Sequence, residues 1–191
     1  MDENAESNSK AALRRQLRQA RVIRETNPAE AARLSQQLGQ FCIDNKISRA
    51  AAYFPIQGEP DIREFLTWAL HQGLDLMLPT VTGQNLHWVK FDGNTVFGEL
   101  GFEEATGKPA KLADAEVVFM PAMAVDLAGN RLGKGKGYYD RALDQFRGQK
   151  RRPKLVAVVF EEEVLLSVPT EKHDQPIDAA ITAAKLIWFK R

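Results

Sequence analysis

Between Asn130 and Arg141 the chain reads Asn-Arg-Leu-Gly-Lys-Gly-Lys-Gly-Tyr-Tyr-Asp-Arg, a concentration of chemistry that sets the problem. Gly133, Gly135 and Gly137 alternate with Lys134 and Lys136, Arg131 stands ahead, and Tyr138, Tyr139 and Asp140 follow. Glycine permits backbone angles that turn successive N–H groups into one concavity, and the cationic side chains add charge to it. The apolar pattern after Gly137 predicts a helix opening there, so the run reads as an anion cradle, above all for phosphate. Asp140 is then placed to hold a metal that bridges phosphates. The cradle is not a Walker loop. Gly129-Asn130-Arg131-Leu132-Gly133-Lys134 is one residue short, and Gly135 stands where Ser or Thr should follow. Nor does the run have the spacing of a dinucleotide fingerprint.

A nucleophile–base pair is missing from the sequence. Cys42 falls on an apolar stripe, the serines Ser35, Ser48 and Ser167 lack histidine context, and no Cys/His zinc spacing occurs. Carboxylates and glycine-held lysines favour phosphoryl transfer with magnesium, in which positioning and charge neutralisation supply most of the catalysis. Asp174, beside His173 in the polar loop from Pro169 to Asp178, is either a second magnesium carboxylate or part of an ordinary turn. Glu59 has two readings as well, functional or merely exposed. Lys10, Arg14, Arg15, Arg18, Arg21 and Arg24 form a basic run without acids. Lys10, Arg14, Arg18 and Arg21 lie near one another at helical spacing. A solvated face, a wall of a phosphate pocket and an RNA-contacting face all remain open for them.

These residues need elements to position them. The pattern predicts a helix over Lys10–Arg24 with Leu13, Leu17 and Ala20 inward and Ser9 as N-cap. A second helix starts at Asn27-Pro28, an N-cap followed by proline, with Leu34, Leu38, Phe41 and Cys42 buried. Ala50–Phe54 reads as a short buried strand ending at Pro55, and the loop Pro55–Pro60 carries Glu59. Asp61 and Glu64 suggest a capping box for a third helix ending at Gly73. Leu74–Leu78 forms a strand stopped by Pro79, and Leu86–Phe91 one with an exposed face that includes His87. Residues 96–113 read as a long irregular excursion. Ala115–Met120 is a buried strand ended by Pro121, followed by Asp126 and a turn at Ala128–Asn130. Then come a helix at Tyr138–Phe146, a strand at Lys154–Phe160 and a last apolar piece at Ile181 and Leu186–Phe189. This rhythm of strand, loop and helix implies a mostly parallel sheet covered by helices, with ligands at the carboxyl ends of its strands.

The 191 residues suit one domain over 10–191, behind a polar tail at 1–9 expected to fray. A net charge of +1 gives no global push towards nucleic acid or membrane, so electrostatic function has to be local. Cys42 is a lone cysteine, which excludes an internal disulfide and fits a reducing, cytoplasmic setting. No apolar run approaches the roughly 20 residues of a membrane span.

Together these stretches resemble the 5-formyltetrahydrofolate cyclo-ligase (5,10-methenyltetrahydrofolate synthetase) family. The central piece runs from Pro121-Ala122-Met123-Ala124-Val125-Asp126 through Gly129-Asn130-Arg131-Leu132-Gly133-Lys134-Gly135-Lys136-Gly137-Tyr138-Tyr139-Asp140-Arg141. The early helix with Lys10, Leu13 and Arg14, the loop Tyr53–Glu59 and the late loop Val168–Asp174 resemble further family segments in the same order. The resemblance implies a three-layer α/β/α fold related to sugar-phosphate isomerases and CoA transferases. It implies ATP- and magnesium-dependent cyclisation of 5-formyltetrahydrofolate to 5,10-methenyltetrahydrofolate, by a monomer with no membrane or nucleic-acid partner. By position, Lys10 and Arg14 contact ATP phosphates, and Arg131, Leu132, Gly133, Lys134, Gly135, Lys136, Gly137, Tyr138 and Tyr139 wrap the nucleotide. Lys136, with Arg131, neutralises the transferred phosphoryl group, and Asp140 and Asp174 hold magnesium. Phe54, Glu59 and Tyr139 meet the folate. Three departures stand out. Val125 replaces a frequent phenylalanine, Gly101-Phe102-Glu103-Glu104-Ala105 lacks both prolines of Gly-Ile-Pro-Glu-Pro, and Ala183 replaces a frequently polar residue. The first two are expected at the rim of the folate pocket. A sugar-phosphate isomerase-like enzyme and a non-catalytic nucleotide- or RNA-binding domain are the alternatives.

Overall fold

Ala50–Ala52, Leu76–Leu78, Val117–Met120, Leu155–Val158 and Ala179–Ile181 are apolar at every position, as strands covered on both faces have to be. In the structure, a computed structural model that describes residues 3–98, 101–171 and 174–190, with side chains from residue 9, these runs form the centre of one sheet. The elements in chain order are α1 Glu3–Ile23, α2 Pro28–Asp44, β1 Arg49–Ala51, α3 Arg63–His71, β2 Asp75–Thr82 and β3 Asn85–Lys90. Then follow β4 Thr95–Phe97, β5 Glu103–Ala105, β6 Pro109–Ala110, β7 Val117–Pro121, β8 Ala124–Asp126 and β9 Arg131–Leu132. The chain closes with α4 Tyr138–Asp144, β10 Lys154–Val158, β11 Val164–Leu165, β12 Ala179–Ile181 and β13 Leu186–Trp188. The main sheet has the order β13-β12-β10-β7-β1-β2-β3-β6, parallel from β12 to β2 and antiparallel at both edges. This is the mostly parallel α/β sheet that the sequence implies.

Alternation along the strands separates two cores. Ala50, Leu76, Leu78, Val117, Phe119, Val156, Val158 and Ile181 point to the side covered by α2 and α3, where Leu38, Phe41 and Phe65 pack. Ala51, Met77, Val118, Met120, Leu155, Ala157 and Ala180 point to the other, covered by Leu143 and Phe146 at α4. Cys42 is buried in the first core, and burial pushes its thiol up to about 12. A small sheet, β11-β8-β9, stands apart, and Leu17 of α1 packs on it with Met123, Leu132 and Val168.

Several local expectations are corrected. α1 opens at Glu3, so Ser9 lies within it rather than capping it, and Ala20 is exposed because the inward stripe runs on from Leu17 to Arg21, whose side chain is buried against Glu163. Part of the 1–9 segment, Met1 and Asp2, lies outside the described residues. Asn27 does cap α2, accepting from the Glu30 N–H at 3.2 Å. Asp61 does not complete a capping box. The N-cap of α3 is Ile62, and Asp61 instead accepts from the Arg63 N–H at 3.0 Å. Pro79 does not stop β2, because the strand runs on to Thr82 as a hairpin with β3, pairing Pro79 with Trp88. The excursion over 96–113 contains the hairpin β4–β5 and the edge strand β6. Among the described residues no helix is long and apolar enough to cross a membrane.

Candidate active site

Tyr53 and Phe54 follow β1, Pro79 and Val81 lie on β2, and Pro121 ends β7, so three neighbouring strands deliver side chains to one place. There they line a cavity of about 480 Å³, at the carboxyl ends of parallel strands where α/β sheets bind ligands. The cradle closes its opposite wall. Arg131, Gly133, Lys134, Gly135, Lys136, Gly137, Tyr138, Tyr139 and Asp140 line it, with Lys10 and Arg14 of α1, Phe54, Glu59 and Asp174. Thus all but one of the residues that the family resemblance assigns to the site converge. The exception is Leu132, whose side chain is buried against the small sheet with Leu17.

The cradle is shaped by arginines behind it. Arg14 Nε donates to the Gly133 carbonyl and Arg18 Nη2 to the Lys134 carbonyl, each at 2.9 Å, and Arg141 Nη2 to that of Lys136 at 3.0 Å. With these carbonyls held the loop keeps its curl, and the backbone N–H groups of residues 133–137 donate to no other described residue. Glycine is required at two points. Gly135 has φ +98° beside the Arg14 guanidinium, and Gly137 has φ +67°, where a Cβ would meet Arg141 Nη1 at 2.7 Å. The entry turn is fixed by Asp126. Its carboxylate accepts from the N–H groups of Ala128, Asn130 and Val168 and from the Asn130 side chain, so its role is structural.

The charged side chains pair across the cavity. Lys10, only 3% exposed, sits with Nζ 2.6 Å from Asp174 Oδ2 and 3.2 Å from Glu171 Oε2. Arg131 donates to Asp140, and its buried Nε has no hydrogen-bond partner among the described residues. Lys134 Nζ lies 2.6 Å from Glu59 Oε1, and the Glu59 side chain is buried, so of its two readings the exposed one fails. Lys136 makes no ion pair among the described residues, and its Nζ stands 6.0 Å from the Tyr138 ring centroid. Arg21, expected beside Lys10, Arg14 and Arg18, turns away into a bidentate pair with Glu163 at 2.6 and 2.8 Å.

The other half of the cavity is apolar: Phe54, Ile56, Val81, Leu86, Phe102 and the tyrosines. Tyr139 packs edge-on against Trp88 at 6.4 Å. Burial, then the charge of Glu59, pushes the hydroxyls of Tyr53 and Tyr139 well above the usual tyrosine range, so both are neutral donors at working pH. Of the departures from the family pattern, Phe102 and Glu103 do reach the rim. Val125 does not, being fully buried in the core beside α4, and Ala183 packs at the edge of the other core. Sequence reasoning missed Glu171 as a lining residue, because it lies in a stretch without periodic signal.

The donor set suits a polyphosphate, with Arg131 Nε the clearest unfilled position. Among the described residues no three Asp, Glu, His or Cys side chains form a metal-holding group. His173 lies outside the described residues. Magnesium commonly takes one or two carboxylates plus phosphate oxygens and water, and Asp140 and Asp174 on one cavity fit that set.

Residues 6–183 match the sequence profile described as the 5-formyltetrahydrofolate cyclo-ligase family. A 5-formyltetrahydrofolate cyclo-ligase of Mycolicibacterium smegmatis is 32% identical over 186 residues, covering 91% of this chain and 93% of the relative. One of Saccharomyces cerevisiae is 27% identical, covering 95% and 99%. The solved structure of the Aquifex aeolicus 5,10-methenyltetrahydrofolate synthetase superposes with a TM-score of 0.81 at 26% identity, covering 95% of this chain and 93% of that one. The Mycoplasma pneumoniae synthetase shares the fold, with a TM-score of 0.73 at 22% identity, covering 91% and 98%.

Proposed function

The chain belongs to the 5-formyltetrahydrofolate cyclo-ligase family, and from that premise we propose that it couples ATP hydrolysis, with magnesium, to closure of 5-formyltetrahydrofolate into 5,10-methenyltetrahydrofolate. The observation that carries this reading is the meeting of a basic cradle and an apolar, aromatic wall on one cavity. A polyphosphate needs the first and a fused ring system the second.

Bound ATP would supply a phosphoryl group to the N5-formyl oxygen and leave as ADP, after which the folate's own N10 would bond to the formyl carbon and lose its proton as the C–O bond breaks and phosphate departs. The chain's residues hold and neutralise. Lys10, Arg14 and the N–H groups of the cradle bind phosphate oxygens, and Arg131 offers to the same charge its Nε, which has no partner among the described residues. Lys136, free of any ion pair among the described residues, follows the transferred group and meets the charge that develops on it. Asp140 and Asp174 would hold magnesium against the phosphates. Phe54, Tyr139 and Phe102 flank the folate, and Glu59 accepts from it. No side chain has to act as a nucleophile, which agrees with the lack of a candidate. A lone buried thiol at Cys42, with no second cysteine to pair with, agrees with a reducing compartment such as the cytoplasm.

The test is the appearance of methenyltetrahydrofolate absorbance when 5-formyltetrahydrofolate, magnesium and ATP are added, with none when any one is left out. Absence of product with all three present overturns the proposal. Nucleotide binding without product identifies a non-catalytic binding domain instead.

A further inference from the structure

We propose that the Lys134–Glu59 ion pair couples the two halves of the site: a nucleotide that draws Lys134 onto its phosphates releases the Glu59 carboxylate to accept from the folate. The inference rests on the cyclo-ligase reading and adds to it an order of events.

Four observations support it. Lys134 belongs to the cradle and Glu59 to the loop after β1, and their side chains meet at 2.6 Å, linking the phosphate wall to the substrate wall. The two partners differ in freedom. The Glu59 side chain is 5% exposed and that of Lys134 36%. Glu59 is also anchored, because its second oxygen accepts from the Ile56 N–H at 3.1 Å, while the Lys134 backbone is held by Arg18 and its side chain has no other polar partner among the described residues. Lys134 can therefore swing while Glu59 stays. Lastly, Arg18, Glu59 and Lys134 line both the site and a second cavity of about 740 Å³ bounded by α1, the start of α2 and Phe160, so the pair stands in the partition between them.

The physics sets the direction. A triphosphate carries more charge than one carboxylate and competes for Lys134. A buried carboxylate that loses its cation is left short of donors, a costly state. The amino and ring N–H groups of a pterin relieve it. Nucleotide should therefore tighten folate binding, and by linkage folate should tighten nucleotide binding by the same factor.

The experiment is a binding titration of 5-formyltetrahydrofolate with and without a magnesium complex of a non-hydrolysable ATP analogue, followed by calorimetry. In the unmodified protein the analogue is expected to tighten folate binding about fivefold or more. In Lys134→Met the factor falls to one, with folate bound at the tighter level throughout. In Glu59→Gln it also falls to one, at the weaker level. General damage to the fold would weaken both variants alike and cannot give that split. Should Lys134→Met not fold, the double variant Lys134→Met/Glu59→Gln, which leaves no unpaired buried charge, has to show a factor of one. A factor of one in the unmodified protein, or a variant that keeps the original factor, overturns the coupling. If both ligands bind independently and product still forms, only the coupling fails. If folate does not bind at all, the cyclo-ligase reading fails with it.

Discussion

Arg131 and Lys136 stand five residues apart in one basic run, yet the fold treats them differently. Arg131 lies on β9, 7% exposed, with Asp140 on one nitrogen and Nε without a partner among the described residues, while Lys136 projects from the glycine loop into the open part of the cavity. A buried guanidinium is committed to both structure and site, whereas an exposed ammonium is free to follow a moving charge. Lys136→Ala should therefore separate function from folding. Turnover is expected to fall about 100-fold or more, as when one preorganised charge-stabilising donor is lost. Stability should stay within about 0.5 kcal/mol, as for an exposed side chain outside any network. Steady-state kinetics alongside urea unfolding checks both numbers, and unchanged turnover would remove Lys136 from the chemistry.

At the scale of elements, α1 explains what its run of bases is for. Lys10 reaches Asp174, Arg14 and Arg18 hold cradle carbonyls, and Arg21 grips Glu163. The basic face is turned on the protein itself, which shapes the cradle and leaves little of it to meet RNA. Its anchor is Leu17, 8% exposed against Met123, Leu132 and Val168 of the small-sheet cluster. Leu17→Ala is expected to cost about 2–3 kcal/mol, from lost burial and a partly filled cavity. It should also weaken binding of the ATP analogue, because Arg14 and Arg18 then lose their placement. Urea unfolding and calorimetric titration of the variant read the two effects. An unweakened nucleotide affinity would show that the cradle holds its shape without a docked α1.

The whole molecule depends on strands that start in step. Glu116, just before β7, accepts from the N–H groups of Ser48 and Arg49 at the start of β1 at 2.7 and 3.0 Å. The hydrogen bond from Ser48, helped by that from Arg49, holds its pKa below the ordinary 4.5. A carboxylate with a depressed folded value contributes stability in full above its unfolded pKa, and that contribution is lost as pH falls through the folded value. The native protein should accordingly lose stability as pH drops below about 4.5, and Glu116→Gln should flatten that part of the profile while lowering stability at neutral pH. Thermal melts from pH 3 to 7 would reveal a parallel fall in both proteins if Glu116 had no share.

The layered sheet was legible because its signals are local. Fully apolar runs at Val117–Met120 and Leu155–Val158 require cover on both faces, and Asn27-Pro28 can hardly avoid starting a helix. The cradle was legible for the same reason: glycine alternating with lysine is a backbone property that survives without knowledge of the rest. Pairings across the chain were not. Lys10 with Asp174 and Lys134 with Glu59 are separated by more than seventy residues, and no spacing rule links them. Pro79 misled because a proline within a hairpin strand looks in sequence like the end of one. The sequence by itself determined which residue types could bind phosphate, and that no side chain stood ready as a nucleophile. Only the tertiary structure decided which cations are held, which are free, and that the basic loop faces an aromatic wall. Charge and burial are properties of neighbours in space, and the fold alone chooses them.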